Sequence, residues 1–218
     1  MRLMRIVPAA LILCTPGPVL AQGWGEYASR ADFFSVNLPG EPVVEEVTYT
    51  SEYEAEFPAR VHAYEDGSTR YSVTVVDYTD AERIHTERAG NCPPDVHTGC
   101  TGAYYTGVGS WIVDVRGAID YATWQILQRD VTPTFFGWNF VDLVEGRHLQ
   151  LTNADGSRTF AAIYMHESRL YILEATATGG RPGPELFQQS LQFLDADGNG
   201  IRYESIYTNG FPTPPRVR

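Results

Sequence analysis

Ser110-Trp111-Ile112-Val113-Asp114-Val115-Arg116-Gly117-Ala118-Ile119-Asp120-Tyr121-Ala122-Thr123-Trp124-Gln125-Ile126 decides how the rest of the chain is arranged. Trp111, Val115, Ala118, Ala122 and Ile126 recur at spacings of three and four, with Ile119 beside them. That is one apolar stripe on a helix of about five turns. Ser110 supplies a cap, and Asp114 adds a charge suited to the first turn. Gly117 weakens the helix slightly, Arg129 falls in its last turn, and Pro133 lies beyond its end.

The helix separates two runs of strand-like sequence. Before it come Phe33 to Leu38, stopped by Pro39, Gly40 and Pro42, then Val43 to Ser51, Ala59 to Tyr64, and Tyr71 to Tyr78. The last is the clearest, with Tyr71, Val73 and Val75 opposed to Ser72, Thr74 and Val76. After it come Asn139 to Leu151, Arg158 to His166 and Leu170 to Ala177, separated by short turns. Glu185 to Leu194 then reads as a closing helix with Leu186, Phe187, Ser190, Leu191 and Leu194 inward. Strands and helices segregate, which predicts an α+β fold: a mostly antiparallel sheet of about seven strands sandwiched by two long helices.

The first 21 residues read as a secretory signal peptide: Arg2 and Arg5, an apolar run from Ile6 to Leu13 broken by Pro8, and an exit at Val19-Leu20-Ala21. Cleavage after Ala21 predicts a periplasmic or secreted chain of 197 residues (218 − 21). No apolar run reaches the length of about 20 residues that a membrane span needs. Leu11-Ile12-Leu13-Cys14 faintly resembles a lipid-anchoring site, but Leu13 is too large for the position before the modified cysteine. Residues 22–194 read as one domain, with an insertion at 79–109, and 195–218 as a Gly-, Tyr- and Pro-rich tail.

Losing Arg2 and Arg5 moves the net charge from −11 to −13. So acidic a chain repels nucleic acid and anionic lipid, leaving a protein or small ligand as the partner class. All 16 basic residues are arginine. The absence of lysine excludes Schiff-base chemistry and a P-loop. Export also leaves two cysteines, Cys92 and Cys100, whose expected state is a disulfide stapling the insertion.

Phe34-Ser35-Val36-Asn37-Leu38-Pro39-Gly40-Glu41-Pro42 is similar to the opening strand and turn of PsbP-like chains. Val75-Val76-Asp77-Tyr78, and Leu170 to Glu174 followed by Phe187 to Leu191, also resemble that family. The resemblance spans about residues 30–195 and implies an α/β/α sandwich and a non-catalytic accessory or binding module. The insertion and the tail depart from its pattern. A shared fold does not carry function.

Several constellations bear on function. Asp195, Asp197 and Asn199, followed by Gly200, match the first positions of a calcium loop. Ile206 stands where such a loop needs a bidentate glutamate, and a plain turn uses the same residues. His85, Cys92, His97 and Cys100 have the donor types of a zinc site but no recognised spacing. Glu41, Glu45, Glu46, Glu52, Glu54 and Glu56 read as a solvated strand face. Phe135-Phe136-Gly137-Trp138-Asn139-Phe140 reads as core, while Tyr104 and Tyr105, with His97, form the best exposed binding candidates because they fall in a predicted loop. No Gly-x-Ser-x-Gly elbow exists, and His62, His148 and His166 each fall singly in a strand. The reading that follows is an exported, non-enzymatic binding module. A calcium-binding exported protein and a periplasmic hydrolase are the alternatives.

Overall fold

The structure is a computed structural model that describes residues 23–67, 69–90, 110–180, 183–209 and 212–217. The signal segment with Cys14, and the stretch holding Cys92, His97, Cys100, Tyr104 and Tyr105, lie outside the described residues. The elements run β1 (Gly25–Ser29), β2 (Phe34–Leu38), β3 (Val43–Thr50), β4 (Glu56–Glu65), β5 (Thr69–Asp77), α1 (Ala81–Gly90) and α2 (Ser110–Leu127). Then follow β6 (Val131–Val141), β7 (Val144–Asn153), β8 (Arg158–His166), β9 (Arg169–Ala177), α3 (Glu185–Gln189) and β10 (Gln192–Phe193).

Seven strands form one antiparallel sheet in the order β3-β4-β5-β9-β8-β7-β6. The α+β class and the seven-stranded sheet agree with the sequence reading. Alternation decides the two faces. Tyr71, Val73 and Val75 on β5, with Ala162 and Tyr164 on β8, join one core. Val76, Ala161 and Ile163 join the other. α2 covers the second face through Ala118, Ile119, Ala122 and Ile126, the stripe that its sequence spacing predicts. Among the described residues no helix is long and apolar enough to cross a membrane.

The expected pair of long helices is corrected here. The closing helix is only Glu185–Gln189. The Ser190 hydroxyl turns back to the Phe187 carbonyl and also accepts the Asn37 amide, both within 2.9 Å. The chain then leaves the helix so that Gln192 and Phe193 pair with Ser35 and Phe34. Open ladder groups on β2 offer residues 192–193 partners that a continued helix would leave unused. The opposite face of the main sheet is therefore covered by a second sheet, β1-β2-β10, by α3, and by Ile201, Tyr203 and Tyr207 of the tail. Phe34 to Leu38, expected in the main meander, belongs to this second sheet.

The stretch expected as one strand over Asn139 to Leu151 is a hairpin. β6 and β7 meet at Asp142 and Leu143, both with positive φ (49° and 68°). Positive φ at both central residues is the two-residue turn that suits strand twist. A leucine there costs about 1–2 kcal/mol relative to its ordinary conformation. Tyr207 holds the turn in place, donating to the Leu143 carbonyl at 2.8 Å and accepting from the Glu145 amide at 3.0 Å.

Asp114 is not a solvated first-turn charge. It is buried, and its Oδ2 accepts from Ser51 Oγ at 2.6 Å and from His85 Nε2 at 2.8 Å. The carboxylate thus ties α2 to α1 and to the β3–β4 loop. Replacing it strands two buried polar groups. Asp114→Ala should lower the free energy of unfolding by about 3–5 kcal/mol in urea titration. Asp114→Asn, which can still accept from Ser51, should lose less.

Candidate functional site

Three buried polar clusters sit on or against the sheet, and the chemistry of each is fixed by what its histidine touches. In the first, Asp32 lies in the turn between β1 and β2. His62 on β4 places Nε2 2.9 Å from Asp32 Oδ2. Arg60 grips the same carboxylate through Nε at 2.9 and 3.0 Å and through a terminal nitrogen. Ser29 adds a bond at 2.9 Å. Burial alone would raise the Asp32 pKa, but these donors outweigh it and hold the carboxyl well below the ordinary range. A carboxylate only accepts, so His62 donates from Nε2, and its Nδ1 meets the Tyr27 hydroxyl at 2.9 Å. Both ring nitrogens are occupied.

The second cluster is Ser51–Asp114–His85. The serine bonds the aspartate rather than the histidine, so no imidazole faces the hydroxyl and the order of a nucleophilic triad is absent. The third is His166 on β8, whose Nε2 meets the Tyr203 hydroxyl at 2.7 Å. Its Nδ1 has no partner among the described residues. Burial, with Arg216 and Arg169 nearby, lowers its pKa from 6.5 to about 3. His148 on β7 meets Gln188 Oε1 at 2.7 Å. The histidines that sequence placed singly in strands are in strands, but each described one has a specific partner.

The surface carries a different feature. Phe135, Phe136, Trp138 and Phe140 on β6 are 44–66% exposed, against the expectation that this cluster is core. The reason is topological: β6 is the last strand of the sheet, so the layers that bury β8 and β9 do not reach it. Phe136 lies opposite Leu149 and Trp138 opposite Arg147, which puts Phe136, Trp138 and Phe140 on the α2 face. The Arg147 guanidinium lies 4.4 Å from the Trp138 ring centre and is held by Asp120 of α2 at 3.0 Å and Glu145 at 3.3 Å. Trp124, one turn along α2 from Asp120, is also exposed and stacks on Tyr121. On the other face of β6, Phe135 packs edge-on against His148.

The two ends of the sheet treat their open ladders differently. β3 carries Glu45 and Glu46, solvated as expected, along with exposed Val43, Val44 and Val47. Charges of that kind discourage another strand from adding to an edge. β6 contains no charged residue from Val131 to Val141. It is guarded at its start, where Pro133 and a register shift between Pro133 and Phe135 interrupt pairing. Among the described residues no strand pairs with the outer side of Phe135 to Val141.

Asp195, Asp197 and Asn199 share one exposed turn. Asp195 Oδ1 accepts the Asp197 and Asn199 backbone amides at 2.9 and 2.8 Å. The Asn199 backbone amide, helped by its side chain and by the Asp197 and Gly198 amides, holds the Asp195 carboxyl below its ordinary value. Among the described residues no group of three or more His, Cys, Asp or Glu side chains converges as a metal set. The structure joins His85 to Asp114; the other members of its sequence-level zinc set lie outside the described residues.

No family model matches the sequence, and no curated protein matches it. Among solved structures the chain is similar to the solution structure of cyanobacterial PsbP (CyanoP) from Synechocystis sp. PCC 6803. The likeness covers 83% of this chain and 98% of that one, at 12% identity and a TM-score of 0.41. It says nothing about ligand, partner or activity.

The His166 environment gives a pH test. Its folded pKa lies below its unfolded one, so the neutral ring's contribution is whole above pH 6.5 and is lost as the pH falls toward about 3. Stability should fall by at most about 1.4 kcal/mol per pH unit through that window. Urea unfolding at pH 7 and pH 5 should show the loss in wild type and a smaller one in His166→Gln.

Proposed function

We propose that this chain is an exported, non-enzymatic binding module whose contact surface is the open edge of the main sheet along β6. The observation that carries the reading is the row of exposed aromatic side chains on an uncharged edge strand, set against the glutamate-bearing edge at β3. An unpaired ladder offers backbone hydrogen bonds to an extended partner, and side chains on alternate positions supply selectivity. Phe136, Trp138 and Phe140 stand about 7 Å apart along the strand, the spacing of alternate residues in a partner strand. The partner that fits is an extended, uncharged segment with apolar side chains on one face. The doubly bonded His62 ring and the misordered Ser51–Asp114–His85 cluster support the non-enzymatic half of the proposal over the hydrolase alternative. Export rests on the first 21 residues.

A Phe136→Ser, Trp138→Ser double variant tests this. Its unfolding free energy should differ from wild type by about 1 kcal/mol or less, because the rings are exposed and lose only surface contacts. Affinity capture from the exported fraction of the source cells should lose its specific partner. Retention of that partner by the double variant would reject the edge as the contact surface. The sequence-level candidates Tyr104, Tyr105 and His97 make a second contact within this proposal; deleting residues 91–101 should weaken capture.

Calcium at Asp195, Asp197 and Asn199 is the second reading, favoured by the three side chains sharing one exposed turn. A melt in millimolar calcium should then exceed one in chelator, with the shift absent in Asp195→Ala. An unchanged melting temperature would reject it.

A further inference from the structure

A groove of about 570 Å3 lies between the outer face of the three-stranded sheet and the end of β6. Pairing explains its floor. Glu26 stands opposite Asn37, and Gln192 opposite Ser35, so all four side chains share the face of the small sheet that points away from the core. Phe34, Val36 and Leu38 alternate onto the core side. Asn139, Phe140 and Asp142 at the end of β6 form one wall, and Gln189 with Ser190 after α3 forms another. Such a volume is within the range of about 300–1,000 Å3 for small-ligand clefts.

We propose that this groove binds a neutral saccharide. The chemistry of its lining selects that class. Carboxamides present a donor and an acceptor side by side, and carboxylates accept from two neighbouring hydroxyls, so both match the hydroxyl pairs of a sugar ring. The amides of Asn37 and Gln189 and the carboxylates of Glu26 and Asp142 make no hydrogen bond among the described residues, which leaves them available. Asn139 donates to the Tyr164 hydroxyl at 2.8 Å, which fixes its amide plane and presents its oxygen for use. Gly146 makes this contact possible, since a Cβ there would stand 2.3 Å from the Tyr164 ring.

The same lining excludes other classes. Among the described residues no arginine or histidine lines the groove, while Glu26 and Asp142 do, so a phosphate or carboxylate ligand is repelled. Burial raises the Asp142 pKa, with Arg202 opposing the shift, which marks that carboxyl as drawn inward from bulk water. The positive φ of Asp142 and Leu143 sets its position at the rim. The site is distinct from the β6 contact surface, which faces the α2 side through Trp138.

Isothermal titration of the purified full chain with maltose, cellobiose and chitobiose, beside digalacturonate as an anionic probe, tests the proposal. Saturable binding of at least one neutral disaccharide is expected, weakened about tenfold or more in Asn37→Ala and in Gln189→Ala. Both residues are exposed, so the unfolding midpoints should match wild type. Trp138→Ser should bind as wild type, which separates this site from the β6 edge. The proposal is overturned if none of the three neutral sugars binds, if digalacturonate binds equally, or if both variants bind undiminished.

Discussion

β8 and β9 are buried on both faces, and the rest of the structure answers that constraint. A strand with apolar residues on alternate and intervening positions needs cover above and below, or one set of side chains stays in water. α2 provides one cover. The three-stranded sheet, α3 and the aromatic residues of the tail provide the other. Ile201, Tyr203 and Tyr207 are therefore core residues despite lying in irregular chain. The cover thins toward the sheet's ends, and the surfaces available for recognition follow from where it stops.

The buried polar groups hold the covers in register. Asp32 joins the small sheet to Arg60 and His62 on the main one. Asp114 joins both longer helices to the β3–β4 loop. Ion pairs taken out of water contribute little over an apolar pair of the same size, but removing one member leaves the other stranded. Their effect is to fix which cover sits where. That is a positioning role, and it agrees with His62 and His85 each bonding the aspartate of its own cluster.

Much of the fold is legible in the sequence. The stripe of α2 and the alternation of β5, β8 and β9 are local patterns imposed by burial on one or both sides. The small sheet is harder to see because Gly25–Ser29 is short and mostly exposed, and the third strand, Gln192–Phe193, comes from the far end of the chain. The β6–β7 hairpin hides because its turn is Asp142-Leu143 rather than an Asn-Gly signal. Asp114 resembles a dipole-matched charge by position alone; only the fold brings His85 and Ser51 to it. The aromatic cluster at 135–140 reads as core because hydrophobicity carries no information about which strand ends a sheet. The groove was equally invisible, since Glu26, Asn37, Asn139 and Gln189 are ordinary surface residues until pairing gathers them.

Partner contact at the β6 edge is open to direct test. A photoreactive phenylalanine analogue placed at Trp138 measures this in the intact source cells, with Leu186, which is more exposed at 73%, as the control position. A discrete cross-linked species is expected from position 138 and none from position 186. Equal cross-linking at the two positions, or none at position 138, would contradict it.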